Sequence, residues 1–207
     1  VTGCTKVSPG CAHCYAETIT LRFKRGGPFL PGKTTIRLHE DRLEQPAQWR
    51  TPRMIFVNSM SDLFHEEVPF SFIRQVFEVM EACPRHTYQV LTKRPKRMLE
   101  YAQSSYGGGE WPSHVWAGVS VENQVWADRR IPILRQVPAA VRFLSCEPLL
   151  KPLRLDLDGI QWVIVGGESG HRARPMDISW AREIRDQCLD AGVPFFFKQW
   201  GGRTSKA

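Results

Sequence analysis

The stretch WVIVGGESG, residues 162–170, sets the expectation for the fold. It is a continuous apolar run that ends in glycines and polar residues, and similar runs recur along the chain. A continuous apolar run is typical of a strand in a parallel sheet that is covered on both faces. Because amphipathic stretches separate the runs, the chain predicts βα units around a parallel sheet.

We predict six strands, one weaker strand and five helices within a single domain, residues 1–207. The strands are residues 54–59, 87–92, 115–120, 141–146, 162–167 and 194–199, and the weaker candidate is residues 34–39. The helices are residues 12–25, 70–82, 95–104, 122–135 and 178–191, whereas residues 149–159 carry no helical pattern.

Polar residues follow each of the six strands. The carboxyl ends of parallel strands open on one face of an α/β fold, where ligands bind, so we expect a shared site at this edge. Its candidate members are Ser59, Ser61, Asp62, Thr92, Lys93, Glu122, Asn123, Cys146, Glu147, Gly166, Gly167, Glu168, Lys198 and Gln199. The alternative for any one of them is a helix cap, which we expect of Asp177.

Three of the six cysteines are clustered in GCTKVSPGCAHCYAE, residues 3–17, as Cys4-x6-Cys11-x2-Cys14. Structural zinc normally takes four protein ligands, whereas a cubane iron–sulfur cluster held by three cysteines leaves one iron open. We expect Cys11 and Cys14 one turn apart at a helix start. In the zinc alternative His13 completes a Cys3His site, although a helix beginning there would point His13 away from the two thiols.

The chain carries 28 Lys and Arg against 21 Asp and Glu, a net charge of +7, which attracts polyanions such as nucleic acid. The basic clusters are Arg22, Lys24 and Arg25; Arg50 and Arg53; Lys93, Arg94, Lys96 and Arg97; Arg129 and Arg130; and Arg172 and Arg174. If they converge they form a track for phosphates, and otherwise they are solvated helix faces.

The cysteine distribution also predicts the compartment. Cys83, Cys146 and Cys188 lie far apart in predicted helices and strands, and no apolar signal segment precedes the cluster, so we expect no disulfides and a reducing, cytoplasmic setting. No apolar run approaches the roughly 20 residues of a membrane helix, which excludes a membrane-spanning role.

Seven segments together resemble a known family: GCTKVSPGCAHCYAE, FVNSMSDLFHEEVP, VLTKRP, WAGVSVEN, FLSCEPLL, VIVGGESG and FFFKQWG. They look like the phage-associated, three-cysteine-motif domain family of unassigned function. That family is similar to spore photoproduct lyase-like members of the radical S-adenosylmethionine (SAM) superfamily, in which the common spacing is C-x3-C-x2-C. The resemblance spans nearly the whole chain.

The resemblance implies a partial or nearly complete (β/α) barrel whose cluster loop follows the first strand, which here would precede Val1. It implies a [4Fe-4S] cluster held by Cys4, Cys11 and Cys14, with SAM on the open iron. An external electron donor would drive cleavage of SAM to a 5′-deoxyadenosyl radical that abstracts hydrogen from a substrate shielded in the barrel mouth. A partner protein carrying the three-cysteine motif is a further expectation.

Within this frame we assign SAM to Ser59, Ser61, Asp62, Thr92, Lys93 and Glu122. Lys93 would pair with the carboxylate of SAM, and Asp62 would accept from its ribose hydroxyls. The superfamily's GGE element matches Gly166, Gly167 and Glu168, but on a later strand. These residues would hold a substrate phosphate or another edge of SAM through backbone N–H groups, or else form only a tight turn.

Substrate contacts would come from Glu122, Asn123, Glu147, Glu168, Lys198 and Gln199, with Cys146, Glu147 and Lys198 as catalytic candidates. The Cys146 thiol would return a hydrogen atom to a substrate radical, or it is simply a small buried strand residue. Trp200 is the tryptophan that we expect at the rim, where it would stack on a base.

These features predict an iron–sulfur, SAM-cleaving radical enzyme that acts on a nucleic acid or nucleotide in repair or modification. The alternative is a non-catalytic nucleic-acid-binding protein with a structural zinc or iron–sulfur site.

Overall fold

The computed structural model describes residues 1–23 and 27–202. Six parallel strands form one sheet in chain order, and the sheet curls into a half-barrel flanked by helices. The strands are β1 Met54–Val57, β2 Thr87–Thr92, β3 Val115–Ser120, β4 Arg142–Cys146, β5 Trp162–Gly166 and β6 Phe195–Gln199. The predicted fold class, a partial (β/α) barrel, is confirmed.

Helices flank this sheet. They are α1 Tyr15–Arg22, α2 Gln45–Gln48, α3 Phe70–Ala82, α4 Pro95–Tyr106, α5 Gln124–Leu134 and α6 Ile178–Asp190. Helices α3, α4, α5 and α6 connect consecutive strands, whereas β4 and β5 are joined by residues 147–161, which are all described and contain no helix. In the described part of the chain, no helix is long and apolar enough to cross a membrane.

Two sequence predictions differ from the structure. Residues 34–39 are not a strand, because only Arg37 pairs, through an isolated antiparallel bridge to Thr2. The first helix begins at Tyr15 instead of residue 12, since Cys14 has an extended backbone with φ −62 and ψ 123. The end of that prediction, including Lys24 and Arg25, lies outside the described residues.

Apolar side chains seal the side of the sheet that faces the helices, which we call the helix-facing side. Alternate strand residues such as Val90, Val119, Leu144 and Val165 have no exposed surface there and belong to one core with residues of α3 to α6. Removing this apolar area from water is the main stabilisation of the sheet.

The opposite side, which we call the concave side, is only partly covered, contrary to the expectation of strands covered on both faces. Phe56 in β1 remains 44% exposed and Phe196 in β6 50% exposed. Both strands are edges of the sheet, because β1 and β6 do not pair with each other. The open half-barrel therefore leaves its concave side accessible near both edges.

Candidate functional site

Residues 4–14, which we call the cysteine loop, lie at the carboxyl edge of the sheet. Gly3, just before the loop, forms a bridge to Ser61 after β1, and Thr5 Oγ1 lies 2.9 Å from His65 Nε2. A 3-10 helix, Pro9–Cys11, begins at the proline, whose fixed φ suits a first helical position. Cys11 ends this turn and Cys14 precedes α1, so the two cysteines do not share the predicted helical turn.

Asp62 organises the ends of β1 and β2. Its buried carboxylate accepts hydrogen bonds from Phe64 N (3.0 Å), Thr92 Oγ1 (2.7 Å), Lys93 N (3.0 Å) and Arg94 Nη1 (3.2 Å). Four donors on one carboxylate compensate for its burial. Asp62 therefore positions the backbone of Lys93 and the guanidinium of Arg94.

Arg94 links this carboxylate to the start of the cysteine loop. Its Nη2 donates to Thr5 O at 3.0 Å, its Nη1 lies 3.6 Å from Cys4 Sγ, and its Nε contacts Glu66 at 2.9 Å. Arg94 is 7% exposed. It is therefore an internal ion-pair partner and not part of a surface phosphate track.

A second carboxylate–arginine pair lies beneath the middle of the loop. Glu122 and Arg130 are 0% and 1% exposed, and Arg130 Nη1 donates to Glu122 Oε2 at 2.8 Å and to Ser120 O at 2.7 Å. The other Glu122 oxygen accepts from Gly10 N at 3.2 Å. A Cβ at Gly10 would lie 3.1 Å from that oxygen, so glycine allows the loop to approach this closely.

Arg130 retains hydrogen-bonding capacity that the described residues do not use. Its Nε and Nη2 are buried without a partner there, while the guanidinium lies 4.1 Å from the centre of the Trp126 ring. Burial lowers the pKa of Arg130, and the neighbouring Glu122 and Cys11 oppose that shift. Since buried donors are normally satisfied, a further anion beside Cys11 would suit this site.

A third pair holds the other end of the loop. Glu168 accepts from Arg174 N and Nε and from His13 Nδ1, each at 2.9 Å, and Arg174 Nη2 also donates to Pro9 O at 2.9 Å. Burial alone would raise the pKa of Glu168, but the hydrogen bonds from Arg174 and His13 outweigh it and lower the pKa to about 2. Three carboxylate–arginine pairs therefore attach the loop to the sheet. Asp62–Arg94 lies after β1 and β2, Glu122–Arg130 begins after β3, and Glu168–Arg174 lies after β5.

The three clustered cysteines are free, partly exposed thiols. Burial raises the pKa of Cys4 to about 11 and also raises that of Cys14, and Cys11 is close enough to both to add to the shift. Among the described residues, no three His, Cys, Asp or Glu side chains surround a point where a single metal ion would bind. His13 is engaged by Glu168 and does not complete a Cys3His set.

A cubane cluster places different demands on the protein than a single ion. Each cysteine binds a different iron, so the thiols need not converge on one point. The cluster is anionic, and backbone and side-chain donors around it offset that charge. The three partly exposed thiols, and a buried guanidinium at Arg130 that interacts electrostatically with Cys11 and has unused N–H groups, fit such a group.

Lys93 brings a cation to the same edge. Its Nζ donates to the buried Ser120 Oγ at 3.0 Å, and its charge opposes the burial that raises the pKa of Cys14. Within residues 1–23 and 27–202, Lys93 forms no ion pair. Ser59 O accepts from the Tyr15 hydroxyl, and Ser61 Oγ donates to Asp62 O at 3.4 Å.

The ends of β4 and β6 meet in a separate polar group. Lys198 Nζ lies 3.0 Å from Glu147 Oε1, and Ser145 Oγ donates to Glu147 Oε2 at 3.1 Å. A Cβ at Gly166 would lie only 2.7 Å from Glu147 Oε1, so the glycine admits the carboxylate. The structure thus brings together Glu147, Lys198 and Gly166.

The segment after β5 continues alongside the end of β6, through a parallel bridge between Ser169 and Gly202, and does not form the tight turn of the alternative. Gly167 N donates to Gln199 O at 3.0 Å, and Gly170 N donates to Gly202 O at 2.9 Å. A Cβ at Gly167 would lie 1.9 Å from the carbonyl oxygen of Trp200. These N–H groups therefore serve packing between β5 and β6, while Trp200 is 41% exposed beside the rim.

Two candidates lie apart from this group. Cys146 has no exposed surface and belongs to the helix-facing core, where burial and the neighbouring Cys188 raise its pKa well above the usual range. This position agrees with the alternative of a buried strand residue. Asn123 caps α5, since its side chain accepts from Trp126 N at 3.3 Å, and Asp177 caps α6 as predicted.

The sequence did not identify Arg94, Arg130 and Arg174 as partners of the loop, because it placed them in surface clusters. One local signal was available for two of them. Glu122 and Glu168 each follow the end of a strand, and each precedes its arginine by a short distance in the chain. Glu122 is eight residues before Arg130, and Glu168 is six residues before Arg174. The contacts with the loop span much longer separations, such as the 165 residues between Pro9 and Arg174.

Comparison with known proteins identifies the family. A family model described as "Protein of unknown function (DUF5131)" matches residues 1–207. No curated protein and no solved structure matches the chain.

Proposed function

We propose that this chain, which belongs to the DUF5131 family, is an iron–sulfur, SAM-cleaving radical enzyme acting on a nucleic acid or nucleotide. The observation that carries the proposal is the way three carboxylate–arginine pairs hold a loop with three free cysteines at the open edge of a half-barrel. Such a loop is held in place by the residues at the strand ends, while its thiols remain partly accessible.

Cys4, Cys11 and Cys14 would hold a [4Fe-4S] cluster, which when bound supplies one-electron reduction of SAM at its open iron. Arg130 would donate its unused N–H groups to the negative charge beside Cys11. Arg94 would do the same beside Cys4. The protein's part is to keep the three thiols apart, oriented and electrostatically compensated.

Lys93 is the best candidate for the carboxylate of SAM, because its ammonium, held by Ser120, acts electrostatically on Cys14 and has no ion-pair partner among the described residues. Asp62 would position Lys93, since its oxygens already accept four hydrogen bonds. Ser59 and Ser61 lie on the same side of the loop and would contribute polar contacts to SAM. Glu147 and Lys198 would contact the substrate at the opposite side of the rim.

The net charge and the free cysteines bear on the substrate and on the compartment in which the enzyme would act. The net charge of +7 favours a polyanionic substrate. All six cysteines are free, which favours a reducing, cytoplasmic compartment. The one-electron step requires an external donor, and a three-cysteine-motif partner protein is one candidate for that role.

The alternative is a nucleic-acid-binding protein with a structural metal. The N–H groups of Gly167 and Gly170, in and just after the GGE element, donate within the protein, which favours this alternative over SAM binding at that segment. The alternative function predicts that the protein binds a metal but does not cleave SAM.

Anaerobic reconstitution with iron and sulfide separates the two functions. We expect about four irons per chain and release of 5′-deoxyadenosine that depends on SAM and a reductant. Alanine at Cys4, Cys11 or Cys14 should abolish iron binding, whereas Cys188→Ala, a matched change in the helix-facing core, should retain it. Zinc in place of iron, or no response to SAM, would contradict the enzymatic proposal.

A further inference from the structure

The concave side of the sheet carries a continuous aromatic layer. The Trp162 ring lies at its centre, with centroids 5.9 Å from Trp116, 5.8 Å from Phe143 and 6.3 Å from Phe196. Strand register places these rings together, since Phe143 pairs with Trp162 and Ile164 pairs with Phe196. Alternation along each strand directs them away from the helices.

This layer is accessible to a ligand. In the layer, Phe196 is 50% exposed and Trp116 and Trp162 are partly exposed, whereas Phe143 is fully buried. On β1, Phe56 is also 44% exposed on the same side of the sheet. Neighbouring apolar residues on the helix-facing side are sealed in the core. A contiguous exposed aromatic surface on one side of a sheet marks a binding surface more often than an isolated exposed residue does.

Cationic and polar side chains continue the same side towards the cysteine loop. Ser145 lies two residues beyond Phe143 on β4 and Lys198 two residues beyond Phe196 on β6, about 7 Å along each strand. Ser120, four residues beyond Trp116 on β3, pairs with Ser145. Lys93 joins them through its hydrogen bond to Ser120. Lys198 also pairs with Glu147 Oε1 at 3.0 Å but keeps half of its side chain exposed, so along the strands the surface changes from aromatic to polar and charged.

We propose that this concave side binds single-stranded nucleic acid, with bases stacked on the exposed rings of the aromatic layer and a phosphate near the half-exposed ammonium of Lys198. Base stacking on aromatic side chains requires an exposed base face, which a duplex does not offer. The open edges β1 and β6 let a polymer enter from the side. The inference rests on the proposed function and deepens it by naming the substrate as single-stranded.

Fluorescence anisotropy with labelled oligo(dT), and oligo(rU) in a parallel arm, tests this on the full chain before and after reconstitution. We expect binding that weakens as salt increases, because phosphate contacts release counterions. Phe196→Ala should weaken binding at least about fivefold, the lower bound of one base–aromatic stack. Phe196→Tyr keeps a ring and should bind like the wild type.

Leu189→Ala is the matched control, because Leu189 is 69% exposed but lies on α6, away from the concave side. It should leave affinity unchanged. Absence of binding, equal competition by duplex, or an unchanged affinity in Phe196→Ala would each overturn the inference. A concentration-dependent dimer that Phe196→Ala disrupts would assign the surface to a second copy of the chain instead.

The experiment separates this inference from the function on which it rests. Stacking does not require the cluster, so binding by the unreconstituted chain without 5′-deoxyadenosine release would reject only the enzymatic proposal. SAM cleavage by a reconstituted chain that binds no oligonucleotide would reject only the single-stranded substrate.

Discussion

The helix-facing core and the cysteine loop are held by different forces. In the core, residues such as Val90 and Leu144 are fully buried among other apolar side chains. None of residues 4–14, all of them described, is fully buried, and the loop is instead held by hydrogen bonds to Arg94, Glu122 and Arg174. Apolar burial depends little on pH, whereas charge pairs respond to it. The stability of the loop should therefore depend on pH more than the stability of the core does.

The largest expected effect comes from breaking the most buried charge pair. Arg130→Met leaves Glu122 as an unpaired charge with no exposed surface, and losing one partner of a buried pair costs about 3–5 kcal/mol. Urea unfolding of the unreconstituted chain measures this loss in the free energy of unfolding. The double variant Arg130→Met/Glu122→Gln should recover much of it, because it removes both charges.

Arg129→Met is the control for that change. Arg129 is exposed and lies over the same Trp126 ring at 5.3 Å, so the substitution should cost less than about 1 kcal/mol. Equal losses in the Arg129 and Arg130 variants would contradict the distinction between a surface arginine and a loop-supporting one.

An intermediate effect contrasts the two sides of the sheet. Leu144→Ala empties a fully buried site on the helix-facing side and should lower the free energy of unfolding by about 2–5 kcal/mol. Phe196→Ala, at a half-exposed site on the concave side, should cost less than about 1 kcal/mol. Thermal and urea unfolding measure both. A cost for Phe196→Ala as large as that for Leu144→Ala would mean that the concave side is a second core.

The smallest effect is the pH dependence of one pair that holds the loop, Glu168 and Arg174. Glu168 has a pKa lowered to about 2 in the fold against 4.5 in the unfolded chain, so its stabilising contribution is present above pH 4.5. That contribution is lost as the pH falls from 4.5 towards 2. Arg174 and His13 are the groups that face it.

Between pH 5 and pH 3 the free energy of unfolding of Glu168→Gln should therefore fall less steeply than that of the wild type. The difference should correspond to the titration of about one carboxyl group. Unfolding free energies across that range measure the slope. The exposed Glu183→Gln should keep the wild-type slope. An unchanged slope in Glu168→Gln would mean that the pair with Arg174 forms no differently in the folded and unfolded chains.

Local patterns predicted most of the fold. The six strands and the helices from α3 to α6 were found within a few residues, because apolar periodicity and Pro, Gly and Asn boundaries act over short separations. The predictions that were wrong involve context. Residues 34–39 have a strand pattern but meet only one extended partner residue, Thr2.

The candidate site was predictable only in part. The sequence identified the three cysteines and the carboxylates Asp62, Glu122 and Glu168, because these residue types at strand ends have a chemical meaning of their own. Arginines are common on surfaces, so nothing local distinguished the buried Arg130 from the exposed Arg129. Sequence reasoning therefore identified one half of each charge pair.

The sequence by itself determined the order of strands and helices, the polar rim and the spacing of the cysteines, since each depends on neighbouring residues. Tertiary structure alone decided that Arg94, Arg130 and Arg174 support the cysteine loop, because those contacts join segments far apart in the chain. It also decided that Trp116, Trp162 and Phe196 form one accessible layer, since only the curl of an open sheet brings three strands' rings together without covering them.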